Sequence, residues 1–144
     1  MSMKSNKTKI RVRYQETDRM GVVYYANYFV WFEVGRTEFF RSFGMPYDEF
    51  EKNDLYLPAV EAFCHYRAPA RYDDLLTVTT RVSTFQEVRI TFEYDIIRDL
   101  DGELLSTGHS QHTFVNGRGR PVILRKQNPF LWKRLTETIE EMEN

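Results

Sequence analysis

Residues 22–43, VVYYANYFVWFEVGRTEFFRSF, decide how the rest of the chain is read. Valines and aromatics favour strands. A run of about 20 residues without a turn signal is too long for a typical strand, however, so length predicts one helix over 22–43. Its apolar positions run nearly all the way round the first half. Tyr25, Phe29, Phe32, Arg36 and Phe40 follow one helical spacing, and Tyr28, Trp31 and Phe39 another. A helix apolar on most sides has to be wrapped by other structure. Gly44 suits the position just past its last turn, and Pro46 follows where the helix has ended.

The flanking segments supply the wrapping. Over residues 8–16, Thr8, Ile10, Val12 and Tyr14 fall on one face, with Lys9, Arg11, Arg13 and Gln15 on the other, which predicts a half-buried strand. Residues 47–53 predict one short helical turn. Three further runs read as strands: LPAVEAFCHYRA up to Pro69, LLTVTTRVSTF over 75–85, and VRITFEYDII, where Val88, Ile90, Phe92, Tyr94 and Ile96 share a face. Asp101-Gly102 is a hairpin signal. It leads into a fourth run, ELLSTGHSQHTFV, and GRGRP at 117–121 marks another turn. In the tail, Asn128 caps a helix with Pro129 at its first position, and Leu131, Leu135, Ile139 and Met142 form its apolar stripe. Four consecutive strands after one helix predict an antiparallel sheet and an α+β class, as a single domain over 1–144. One sheet on one helix leaves edges and apolar surface that a second copy would cover, so a homodimer or homotetramer is expected.

Composition narrows the function classes. The 20 basic and 21 acidic residues nearly cancel, which excludes the basic excess of a dedicated nucleic-acid binder. Cys64 is the one cysteine, so no intrachain disulfide forms, and a reducing, cytoplasmic setting is expected. The start, MSMKSNKTKI, lacks the apolar run of a signal peptide. Asn27 and Glu33 interrupt the longest apolar stretch too soon for membrane insertion.

The segment that carries chemistry is YQETDRMGVVYYANYFVWFE, residues 14–33. It sets Asp18 in the loop between a strand end and a helix N-terminus. Gly21 permits a positive φ or a close approach there. The helix start offers unpaired N–H groups and the positive end of its dipole, which suits an acyl oxygen that gains negative charge. A carboxylate beside such donors either attacks a carbonyl or activates a water. No serine or cysteine with a partner histidine offers a comparable arrangement. The plainer reading of Asp18 is a capping or turn residue, and Gly21 can serve a turn and an oxyanion loop at once.

DRMGVVYYANY resembles the active-site loop of the 4-hydroxybenzoyl-CoA thioesterase family, especially its Tol-Pal-associated acyl-CoA thioesterase branch. Further matches follow in order: E-x-x-R-T-E at 33–38, P-A-x-Y-D-D-L-L at 69–76 and R-D-x-D-G-x-L-L-x-x-G at 98–108. The resemblance implies a hotdog fold, with a sheet wrapped round a long central helix and sites at subunit interfaces. It implies an acyl-CoA substrate, Asp18 as the working carboxylate, and the backbone N–H of Tyr25 as the donor to the thioester carbonyl. The branch usually carries histidine where Tyr25 stands, whereas the benzoyl-CoA enzymes carry tyrosine.

Neither a metal nor a cofactor is expected. His109 and His112, three apart in a strand, point to opposite faces, and His65 and Cys64 have no partner at ligand spacing. Arg118, Arg120, Arg125 and Lys126 cluster around a turn; they either grip the phosphates of coenzyme A or form a solvated loop. Glu33 and Glu61 are the candidates for a second acid, although Glu33 is expected instead to pair with Arg36 one helical turn on. The rival functions are an acyl-carrier-protein thioesterase, a hotdog dehydratase (for which no Asp/His pair lies in a matching loop) and a non-catalytic acyl- or partner-binding module.

Overall fold

The computed structural model describes residues 5–143. Strand β1 (Asn6–Arg11) is followed by a single 3-10 turn over Tyr14–Glu16 and helix α1 (Asn27–Ser42). Helix α2 (Tyr47–Lys52) precedes strands β2 (Ala59–Tyr66), β3 (Leu75–Phe85), β4 (Arg89–Arg98) and β5 (Leu104–Thr113). Helices α3 (Leu124–Gln127) and α4 (Pro129–Glu143) close the chain. The strands form one antiparallel sheet in the order β1-β3-β4-β5-β2.

The sheet packs against one face of α1, whereas Val30 on the other side is exposed and Val34 half-buried, so the wrapping that the all-round apolar pattern predicted is only partly met within this chain. Tyr28, Trp31, Phe32, Phe39 and Phe40 of α1 are buried against Leu76, Val78 and Val82 of β3 and Ile90, Phe92, Tyr94 and Ile96 of β4. Burial of each such side chain contributes roughly 1.5–3 kcal/mol. Phe32 stacks on Tyr94, with ring centroids 4.4 Å apart. Two glycines let helix and sheet approach this closely. A Cβ on Gly35 would strike the Thr80 hydroxyl, and one on Gly108 would lie 2.5 Å from both the Phe32 ring and the Phe63 carbonyl. Gly44 ends the helix at φ +74°, its N–H bonded to the Arg41 carbonyl, as its position in the sequence implied.

The strand before the Asp18 loop and the helix after it both differ from the sequence reading in an informative way. β1 stops at Arg11, and Val12 then pairs with the 73–74 backbone, its N–H donating to the Asp74 carbonyl and its carbonyl accepting the Asp73 N–H. Tyr14, expected on the buried face, is exposed and meets the edge of Tyr72. The helix begins at Asn27 rather than residue 22. Val22 bridges Arg71, Val23 bridges Thr17 and donates to Ala70 O, and Tyr24 donates to Glu16 O. The Val22 carbonyl, which a helix would offer to the Ala26 N–H, instead accepts the Asp18 N–H at 2.8 Å.

Glu33 is exposed and makes no ion pair with Arg36; instead Arg36 donates to the Tyr94 hydroxyl at 3.2 Å. The tail follows its expected capping, with Leu131 N–H donating to Asn128 Oδ1. Leu131, Leu135 and Ile139 are buried, and the side chain of Met142 lies outside the described residues. The short helix α3 was not foreseen. Among the described residues, no helix is long and apolar enough to cross a membrane.

A polar chain threads this core. Arg36 donates to Tyr94 Oη, which lies 2.6 Å from Ser110 Oγ, itself 2.8 Å from His112 Nε2. His112 Nδ1 lies 2.9 Å from the Leu57 carbonyl. A carbonyl only accepts, so Nδ1 carries the proton and Nε2 accepts. Burial, helped by the nearby Arg36 charge, pushes the His112 imidazole down to about 4. The unfolded chain therefore takes up this proton first. The stabilising effect of neutral His112 is complete above about pH 6.5 and is lost as pH falls towards 4, a span worth roughly 3 kcal/mol. In His112→Gln, which keeps a donor and an acceptor but does not titrate, the stability gap to the wild type should narrow across that window. Urea denaturation at pH 7, 5.5 and 4.5 measures it, and a constant gap would contradict the assignment.

Candidate active site

Asp18 sits at the tip of a loop that leaves β1 and returns to α1. Its Oδ1 accepts the Met20 N–H at 2.8 Å, and its carbonyl accepts the Gly21 N–H at 3.0 Å. Gly21 adopts φ +79°, a conformation that side chains rarely take, with open space where a Cβ would stand. Asp18 is thus a turn-former, and its carboxylate is nevertheless exposed, with Oδ2 making no hydrogen bond to the described residues.

The loop faces a cavity of about 340 Å³ lined by Asp18, Val22, Val23, Tyr25, Tyr28, Tyr66, Arg67, Ala68 and Pro69. The second wall comes from the end of β2 and the residues after it, far from Asp18 in sequence. Arg98 braces that wall by bonding Asp101, Glu103, Asp74 and the Pro69 carbonyl.

Tyr25 precedes α1 by two residues, with Ala26 as the N-cap. The N–H groups of Tyr25 and Ala26 find no acceptor among the described residues, whereas Tyr24, Asn27, Tyr28 and Phe29 all donate internally. Tyr66 Oη donates to the Tyr25 carbonyl at 2.9 Å and holds this peptide in place. An oxygen docking here would meet unpaired donors at the positive end of a helix dipole.

The aromatic wall is neutral. Burial raises the Tyr28 and Tyr66 phenols above their ordinary value, and the adjoining Tyr25 hydroxyl raises Tyr24. Burial also raises the Cys64 thiol, on the same strand as Tyr66, which keeps it protonated and a poor nucleophile. Among the described residues, Asp18 is the one carboxylate lining the cavity, and Arg67 the one cation.

The other candidates lie elsewhere. Glu61 pairs with His109 at 2.8 Å on the solvent side of β2 and β5, away from the cavity, while His112 faces the core. Arg118 and Arg120 sit in the 116–120 turn, Arg125 is paired with Glu87, and Lys126 ends α3; none of the four lines the Asp18 cavity of this chain. Sequence spacing missed Tyr66, because only the sheet brings it, with Arg67 beside it, to the loop. It also passed over Glu16, an acid at an even position of a segment whose even positions are otherwise apolar or hydroxyl-bearing.

Residues 12–139 match the thioesterase-like superfamily. The chain is 36% identical over 128 residues to the putative acyl-CoA thioesterase YneP of Bacillus subtilis, a span covering 88% of this chain and 92% of that one. It is also 36% identical over 91 residues to the acyl-CoA thioesterase YbgC of Haemophilus influenzae, covering 62% and 67%. Among solved structures, the DHNA-CoA thioesterase of Staphylococcus aureus superposes with a TM-score of 0.88 at 29% identity, covering 92% of this chain and 89% of that one.

Proposed function

The chain belongs to the thioesterase-like superfamily and is a thioester hydrolase, and from that premise we propose that it cleaves acyl-coenzyme A at Asp18. The observation that carries this reading is the shared cavity: Asp18, which has a free carboxylate oxygen, and Tyr25, which has an unpaired N–H, line the same space.

The acyl carbonyl oxygen docks on the Tyr25 N–H, assisted by that of Ala26. Asp18 then acts by one of two routes. As general base it takes a proton from a water whose oxygen bonds to the carbonyl carbon. As nucleophile it bonds to that carbon itself, and water later opens the resulting anhydride. In both routes the tetrahedral adduct carries its negative charge against the N–H donors, which is where such donors act most strongly. Collapse breaks the carbon–sulfur bond; coenzyme A leaves as a thiolate and takes up a proton. The neutral tyrosine wall suits an uncharged acyl group.

For the carrier, Arg67 stands at the cavity and is the first candidate for the coenzyme A phosphates. The cluster of Arg118, Arg120, Arg125 and Lys126 remains the second, reached from a neighbouring subunit. A homo-oligomer is supported by β2, an edge strand exposed along its length that carries Val60 and Phe63 at the surface. The working unit is then one hotdog domain per subunit in a cytoplasmic homodimer or homotetramer. The loop and the three downstream segments support the Tol-Pal-associated branch, from which Tyr25 departs.

Turnover of acyl-CoAs of graded chain length and of aromatic acyl groups, followed with a thiol-reactive dye, tests the reading. Parallel assays use acyl-pantetheine and acyl-carrier protein. Hydrolysis of acyl-carrier protein alone would transfer the activity to that carrier, and no hydrolysis of any of them would leave a binding module. Because only its backbone donor is called upon, Tyr25→Phe should keep kcat within about threefold of the wild type, well short of the loss on removing an oxyanion donor. A loss as large as that of Asp18→Asn would contradict the backbone role.

A further inference from the structure

Among the described residues one carboxylate is buried, and it lies two positions before Asp18. Glu16 is 5% exposed and is bonded on both sides of the active loop. Its Oε1 accepts the Arg13 N–H at 2.7 Å, where the chain leaves β1. Its Oε2 accepts the indole N–H of Trp31 at 3.1 Å, one turn into α1. Its main-chain carbonyl accepts the Tyr24 N–H at 2.8 Å and the Asn27 side-chain N–H at 3.0 Å. The loop carrying Asp18, Gly21, Tyr25 and Ala26 therefore starts and ends on one residue.

Resting on the hydrolase reading above, we infer that Glu16 is a positioning residue, which fixes the Asp18 carboxylate and the Tyr25 and Ala26 N–H groups relative to one another. A buried acid is costly unless its oxygens are satisfied, and here the two donors stand on the two sides of the loop, Arg13 just past β1 and Trp31 within α1. Tyr24, whose N–H Glu16 holds, adjoins Tyr25. Slack in this closure moves the carboxylate and the oxyanion donors independently. A displacement of about 1 Å at reacting groups costs on the order of 100-fold in rate. Ground-state binding in the cavity is assigned to Tyr28, Tyr66, Arg67 and Pro69, none of which is hydrogen-bonded to Glu16. The effect accordingly belongs in kcat rather than KM.

Glu16→Gln keeps the side chain's shape but turns one acceptor into a donor facing an N–H. In the folded variant, checked by circular dichroism, kcat for the best acyl-CoA should fall about 10- to 100-fold, with KM within about threefold. Combined with Asp18→Asn, the loss should be smaller than the product of the two single losses, because part of the Glu16 effect runs through the Asp18 carboxylate. If Glu16→Gln does not fold, Trp31→Phe decides: it keeps an aromatic side chain, though a smaller one, and loses the indole donor, and in the folded variant kcat should fall about 10-fold by the same argument. A folded variant with unchanged kcat overturns the inference, as does a fully multiplicative double variant. Wild-type protein that turns over no thioester removes the hydrolase reading and this inference with it; turnover by the wild type with unaltered Glu16→Gln removes this inference alone.

Discussion

Asp18→Asn should lower kcat by at least about 100-fold, the low end for losing a positioned base or nucleophile. The amide keeps the side chain's shape and one oxygen to accept the Met20 N–H, so the turn persists. It has neither the charge nor the proton affinity for either proposed role. Asparagine serves as well as aspartate in local caps, so the melting temperature should shift by no more than a substitution worth about 1 kcal/mol produces. The two quantities separate the readings of Asp18. A turn residue alone would leave kcat near the wild-type value. Single-turnover hydrolysis in heavy-oxygen water then tests the nucleophilic route: label appearing in the Asp18 carboxylate identifies the nucleophile, whereas label only in the released acid is the result for a base and also for an anhydride opened at its acyl carbonyl, and hydroxylamine trapping of the acyl-enzyme separates those two.

The second large effect is expected at Gly108, where stability rather than rate responds. A Cβ there meets the Phe32 ring and the Phe63 main-chain carbonyl, both at 2.5 Å. The carbonyl belongs to the neighbouring strand, and Phe32 is already stacked on Tyr94, so neither yields easily. Gly108→Val should cost at least about 3 kcal/mol, the upper range for overpacking a filled core. Urea unfolding at pH 7 measures it. A variant within about 1 kcal/mol of the wild type would mean that helix and sheet separate more freely than their contacts imply.

Local patterns were enough where the chain pairs with its near neighbours. The strand at 75–85 was legible to the residue, and the Asp101-Gly102 turn fixed the hairpin between β4 and β5, with Gly102 at φ +71°. The helix start was not legible, because Val22, Val23 and Tyr24 are held by Arg71, Ala70, Thr17 and Glu16, and spacing along the chain does not reveal such partners. The candidate site divides the same way. Asp18, Gly21 and Tyr25 stand in one readable segment, while Tyr66 and Arg67 reach the cavity only through the β2–β5 pairing. Glu16 left a signal in its parity, as the acid that follows Val12 and Tyr14 on one face, and Tyr14 then proved exposed while Glu16 is buried.

The strand order β1-β3-β4-β5-β2 also sets a sequence of events in time. The three central strands join neighbours in the chain through short connections and close at little entropic cost. The two outermost strands must be recruited across long separations, Asn6 to Thr80 and Tyr66 to Ser106, and such pairings form slowly. The Asp18 loop hangs from one of these late strands, and the Tyr66 wall ends the other. Catalytic competence should therefore be the last property gained on refolding and the first lost to local opening, with amide exchange faster at both margins than in the centre.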